Sequence, residues 1–198
     1  MLILASQSRT RKALLAGTGL RFETSPAPID ERALEAEVLG KGGDAIAVAQ
    51  ALAEAKALAV SNGRRGAAVI GADQVLALGD ALLHKPESRT AAAAQLDRLR
   101  GRTHFLHAGI ALARRGKVLW STTETASLTM RAFDRVERDT ILAIEGDAVL
   151  GSVGGYRLEG PSIRLFERIE GDYFTILGLP LLPLLAALRQ HAPETLGD

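Results

Sequence analysis

The chain contains no cysteine, which excludes disulfides, thiolate nucleophiles and cysteine-ligated zinc. Aromatic residues make up only 4%, too few for the stacking platforms that grip unpaired bases. Neither sign of charge dominates: 24 Lys and Arg against 23 Asp and Glu leave a formal charge of +1, so no global field draws the protein to nucleic acid or to an acidic membrane. Any affinity for phosphate must come from local clustering. Long hydrophobic runs are missing too. The nearest, residues 177–188, is interrupted by Pro180 and Pro183 and falls short of the ~20 apolar residues a membrane helix needs. Only four or five apolar residues precede Ser6, with no basic segment before them, which is not the pattern of a secretory leader. The expectation is a soluble, cytoplasmic protein with no nucleic-acid or membrane partner. At 198 residues it should form one domain, 1–198, folded as two lobes about a central cleft, with a frayed tail from about residue 191.

What is present begins with Leu2-Ile3-Leu4-Ala5-Ser6-Gln7-Ser8-Arg9-Thr10-Arg11-Lys12. A short apolar run passes through two serines into a cationic, helix-periodic segment, which reads as strand, tight loop and helix. Such a junction gathers the hydroxyls of Ser6 and Ser8, loop amides, a helix N-terminus and the guanidinium of Arg11, the groups a polyphosphate requires. A plain serine cap on a basic helix has the same pattern. After a second strand near residues 21–25, Pro26 and Pro28 lead to Asp30-Glu31, where the acids either face a cleft or cap the helix over 32–39. Residues 44–61 read as an Ala-rich helix, and Lys56 falls on or beside its apolar face, where it either snorkels or serves a site.

The stretch 67–78 reads as a buried strand interrupted by one carboxylate, Asp73, between small and bulky apolar residues. A charge there must meet a metal, a cation or a substrate. A returning strand through Leu83-His84-Lys85-Pro86 would aim the Lys85 ammonium from a strand end, with His84 outside any metal-type pair. A helix over 90–99, two long strands over 105–113 and 117–130, a charged helix over 133–145 and a final helix over 181–189 complete the pattern. The glycine-rich stretch 151–161 reads as a flexible lid or base-binding loop. Cations Arg11, Lys56 and Lys85 with carboxylates Glu31 and Asp73 are the parts that cleavage of a phosphoanhydride uses.

The ordered set Leu4-Ala5-Ser6-x-Ser8-x-x-Arg11, Asp30-Glu31, Ala55-Lys56-Ala57, Gly71-Ala72-Asp73, Lys85-Pro86, Gly101-Arg102-Thr103-His104, residues 167–173 and Gly178-Leu179-Pro180 resembles the Maf family of nucleotide pyrophosphatases. The resemblance implies an α/β fold related to the inosine triphosphatases, with a long, twisted mixed sheet, flanking helices and two lobes about a cleft. It implies hydrolysis of a nucleoside triphosphate to the monophosphate and pyrophosphate, assisted by a divalent cation (Mg2+, Mn2+ or Co2+), and a homodimer that no residue demands. Carried over, Ser6, Ser8 and Arg11 would meet the phosphates, Glu31 and Asp73 the metal or the water, and Lys56 and Lys85 the charge at the breaking bridge. Thr10, Gln74 and Glu159 would belong to the base pocket. The Asp73-Gln74-Val75 run and the Glu159-Gly160 pair are similar to the 7-methyl-GTP branch rather than the dTTP and UTP branch, while Thr10 fits neither. Glu159 would accept from a guanine edge or simply pair with Arg157. A non-catalytic nucleotide-binding regulator of septum formation is the alternative the same resemblance carries.

Overall fold

Leu2-Ile3-Leu4-Ala5 forms strand β1 (Leu2–Ala5), buried along its whole length because both of its faces are covered. A computed structural model describes residues 1–64 and 66–197. β1 runs parallel to β2 (Glu23–Thr24) on one side and to β3 (Ala68–Leu78) on the other, with Leu2 opposite Ala68 and Ala5 opposite Gly71. β4 (Ala81–Leu83) folds back antiparallel on β3, pairing Leu76 with Leu83. β5 (Thr103–Arg114) and β6 (Lys117–Met130) are joined by a two-residue hairpin whose central residues, Arg115 at φ 52° and Gly116 at φ 71°, adopt the left-handed geometry that matches strand twist. β7 (Phe166–Glu170) lies antiparallel to β6, and the strand order is β2-β1-β3-β5-β6-β7, with β4 on β3. This is the mixed α/β architecture the sequence implies.

The chain divides into two compact units, Met1–Gln74 with His107–Glu124 and Tyr173–Asp198, and Val75–Leu106 with Thr125–Asp172. Asp198, the last residue of the expected 1–198 domain and of its expected tail, lies outside the described residues, as does Arg65.

In the first unit, strand alternation sorts the core. Leu2 and Leu4 join Leu15 of α1 (Arg9–Ala16) and Leu184 and Leu188 of α7 (Leu181–His191) in one cluster. Ile3 and Ala5 join Val60 of α3 (Ala45–Ser61), along with Val69, in another. Each such fully buried Leu or Ile contributes roughly 1.5–3 kcal/mol. α2 (Glu31–Gly40) is capped by Asp30, whose Oδ1 accepts the Ala33 amide at 3.0 Å, so of the two readings of Asp30 the cap is the one observed. Beyond α7, Ala192 and Leu196 pack on the first cluster, and a 3-10 turn over Pro193–Thr195 buries Thr195.

In the second unit, α4 (Arg89–Leu99) and α5 (Arg135–Glu145) begin one or two residues from the expected positions because Ser88 and Asp134 supply the caps. Phe133, expected to open α5, is instead a buried core residue. Two further expectations are corrected. β4 ends at Leu83, so Lys85 follows the strand as an exposed residue before the buried Pro86 instead of standing on a strand end. The stretch 151–161 is not a loose lid either. Gly154, Gly155 and Tyr156 are buried, and Tyr156 shares a 2.7 Å hydrogen bond with the buried His104. The Tyr156 ring meets Phe166 edge to face at 4.9 Å.

Candidate active site

The first unit gathers eight of the ten residues singled out from the sequence, from the loop after β1 to Asp73 and Gln74 in the middle of β3. Ser8 caps α1 in extended geometry, its Oγ accepting the Arg11 amide at 3.3 Å, and the Ser8 amide donates to Ser6 Oγ at 3.2 Å. Accepting these bonds does not consume either hydroxyl proton, so both side chains keep a donor. Thr10 sits one residue into the helix and is half-buried.

Arg11 projects from the first turn of α1 across two other segments. Its Nε donates to the Gly178 carbonyl at 2.7 Å and its Nη1 to the Ala72 carbonyl at 2.9 Å. The guanidinium therefore ties the phosphate-type loop to the residue before Asp73 and to the turn after α6 (Tyr173–Ile176). Burial pushes its pKa down from the usual arginine value, and the negative charges of Asp73 and Glu31 oppose that shift. Gln74 makes a parallel tie, its amide donating to the Thr175 and Ile176 carbonyls at 3.1 and 2.9 Å. Gly178, at φ 85°, fits between them: a Cβ there would lie 3.4 Å from both Arg11 Nε and Gln74 Cδ.

The centre of the site is Lys56. Its Nζ lies 2.5 Å from Asp73 Oδ1 and 2.8 Å from Glu31 Oε1. Lys56 and Asp73 are each 8% exposed, whereas the Glu31 side chain is about half exposed. The apolar face of α3 delivers this lysine because Gly71 lets the helix approach β3 closely: a Cβ at Gly71 would fall 2.0 Å from the Ala53 carbonyl oxygen and 2.6 Å from the Ala57 amide. Lys56 lies between those two alanines. Its burial beside Asp73 answers the question the periodicity left open, since the ammonium is paired in the interior and does not snorkel to water.

Arg11, Lys56, Glu31 and Asp73 carry charges that sum to zero, so this set alone cannot neutralise a triphosphate. Among the described residues there is no cluster of three or more His, Cys, Asp or Glu able to hold a metal. Two carboxylates converging on one point do suit a hard ion of the magnesium type, which is held by one or two carboxylates together with water and substrate phosphates. The donor set thus fits a hard divalent cation whose remaining ligands are water and phosphate oxygens.

Lys85 and Glu159 belong to the second unit. Glu159 pairs with Arg157, Oε1 to Nε at 3.4 Å, and Arg157 also meets the buried Glu145. Sequence reasoning missed Glu145 and the backbone carbonyls of Ala72 and Gly178. The only local hint was Gly178, whose positive φ marks a turn made for a close approach.

The family model for Maf-like proteins matches residues 1–191. The chain is 52% identical over 190 residues to a 7-methyl-GTP pyrophosphatase of Brucella abortus, covering 96% of each chain. It is 53% identical over 188 residues to a 7-methyl-GTP pyrophosphatase of Mesorhizobium japonicum, covering 95% of this chain and 94% of that one. It is 52% identical over 191 residues to a nucleoside triphosphate pyrophosphatase of Nitrobacter winogradskyi, covering 96% and 93%.

Proposed function

Because the chain belongs to the Maf-like proteins, we propose that it hydrolyses the α–β phosphoanhydride of a nucleoside triphosphate, giving the monophosphate and pyrophosphate, with 7-methyl-GTP preferred over dTTP and UTP. The observation that carries the reading is the Lys56 ammonium set between Asp73 and Glu31 beside the Ser6–Arg11 loop. Hydrolysis forms a bond from water oxygen to phosphorus and breaks the bridging P–O bond, with pyrophosphate leaving. In this chain the water proton has carboxylate acceptors in Asp73 and Glu31. Lys56 keeps Asp73 aimed, a positioning task its 2.5 Å contact supports. The Ser6 and Ser8 hydroxyls donate to phosphate oxygens. Arg11 contributes its charge from a position fixed by the Ala72 and Gly178 carbonyls, and Lys85 adds a cation. A divalent ion held by Glu31, Asp73 and the triphosphate would neutralise phosphate charge and lower the pKa of a bound water.

Glu159 supplies the base preference. An ionised carboxylate accepts from the N1–H and N2–H of guanine and favours the positive charge of a 7-methylated ring. The enzyme would act on the nucleotide pool of the cytoplasm, and no helix among the described residues is long and apolar enough to cross a membrane. The test is steady-state turnover of 7-methyl-GTP by Asp73→Asn, with thermal unfolding measured in parallel. The proposal expects kcat to fall at least about a hundredfold in a variant that still unfolds cooperatively. Full turnover by Asp73→Asn would reject the assignment.

A further inference from the structure

Glu145 is a buried carboxylate that the reaction does not use. Its side chain is fully enclosed. Oε1 accepts the Ser162 amide at 3.0 Å and the Ser162 hydroxyl at 2.7 Å, and Oε2 lies 3.4 Å from Arg157 Nη1. The other edge of the same guanidinium, Nε, faces Glu159 Oε1 at 3.4 Å. One arginine thus spans an enclosed carboxylate and an exposed one.

The backbone carrying these groups is fixed on both sides. Tyr156, the residue before Arg157, is locked to His104 at 2.7 Å. The Gly160 amide closes a turn onto the Arg157 carbonyl at 3.2 Å, and a Cβ on Gly160 would lie 2.5 Å from Glu145 Oε1. The turn 157–160 is therefore wrapped directly against the buried acid. An enclosed carboxylate gains little stability over an apolar side chain of its size, so its use points to control of geometry.

We propose that Arg157, anchored by Glu145, is the positioning residue that aims Glu159, so that base selectivity is set through the chain Glu145–Arg157–Glu159. The proposal rests on the reading of Glu159 as the base contact. Arg157 holds the Glu159 carboxylate by one edge and leaves its remaining lone pairs for the base. A carboxylate on an untethered side chain would lose rotamer freedom at each binding event, and the tether removes that cost beforehand.

The experiment compares wild type, Arg157→Ala, Arg157→Lys, Glu159→Ala and the double variant Arg157→Ala/Glu159→Ala. KM and kcat are measured for 7-methyl-GTP and UTP with magnesium, and equilibrium binding for 7-methyl-GMP and UMP. Arg157→Ala should lower the preference for the 7-methylguanine nucleotide about tenfold, with the loss carried by KM. Arg157→Lys should restore part of it, and the double variant should match Glu159→Ala alone. If Glu159→Ala lowers the preference and Arg157→Ala does not, or if the two losses multiply, the positioning role is overturned and Glu159 stands. If Glu159→Ala leaves the preference intact, both fall. The monophosphate titrations read the same comparison without turnover, so a chain that hydrolyses nothing still decides it, and absence of a base preference in wild-type binding overturns it.

Discussion

Lys56 and Asp73 form a buried ion pair with Nζ 2.5 Å from Oδ1, joining the apolar face of α3 to the one charged position of β3. Neither charge survives well in that interior alone, so each residue accounts for the other. Removing one partner leaves an uncompensated buried charge, which typically costs about 3–5 kcal/mol. Lys56→Met should therefore be strongly destabilised in urea unfolding, and Lys56→Met/Asp73→Asn should recover a large part of the loss. Additive losses would show that the two side chains are not coupled.

Glu31 separates stability from chemistry. Its half-exposed side chain meets the same ammonium at 2.8 Å, and exposed ion pairs contribute ~0–1 kcal/mol. Glu31→Gln should unfold almost as wild type while losing most of its pyrophosphatase turnover. Equal retention of both properties would remove Glu31 from the site.

The approach of α3 to the sheet gives a third expectation. Gly71→Ala places a Cβ 2.0 Å from the Ala53 carbonyl oxygen, and Gly109→Ala one 2.1 Å from the Ala49 carbonyl oxygen. Backbone must move in both cases, at about 1–3 kcal/mol or more, and the Gly71 change also displaces Lys56 from Asp73. Gly40→Ala meets nothing within 4 Å and lies in α2, so it should be neutral or slightly stabilising. Chemical denaturation of the three variants checks the ranking.

How far the sequence foretold this site follows from how local each signal is. The strand–loop–helix junction and the lone acid of β3 are written in contiguous residues, and the structure shows both where the pattern placed them, while for Asp30 the local pattern allows a cap and a cleft-facing acid alike. The Lys56 side chain admits two readings in sequence because periodicity fixes a helix face and not what that face meets. The hidden features all depend on partners far along the chain: Arg11 on Gly178, Gln74 on Thr175, and Tyr156 on His104. The glycine-rich composition of 151–161 suggested a lid because composition reports backbone freedom and carries no trace of the buried His104 and Glu145 that fix the segment. Pro86 marks a strand terminus in sequence and so puts Lys85 on a strand end, whereas β4 stops at Leu83, three residues before the proline.

His104 gives the pH dependence of stability. Burial holds its pKa down to about 4, against 6.5 for a free imidazole. Between these values the unfolded chain binds a proton that the folded chain refuses. Stability is therefore unaffected above pH 6.5, falls as pH drops from 6.5 towards 4, and loses on the order of 3 kcal/mol from this group by the lower end. His107, also lowered chiefly by burial and partly restored by Asp44, adds in the same direction. Urea titrations from pH 7 to 4 should show a shallower decline for His104→Gln than for wild type, and parallel curves would contradict the assignment.

The central claim is cleavage between the α and β phosphates, and product analysis by phosphorus NMR of 7-methyl-GTP incubated with the protein and magnesium tests it most directly. The account predicts 7-methyl-GMP and pyrophosphate as the only initial products, lost together in Asp73→Asn. Release of orthophosphate with 7-methyl-GDP, or production of pyrophosphate that Asp73→Asn leaves unchanged, would contradict it.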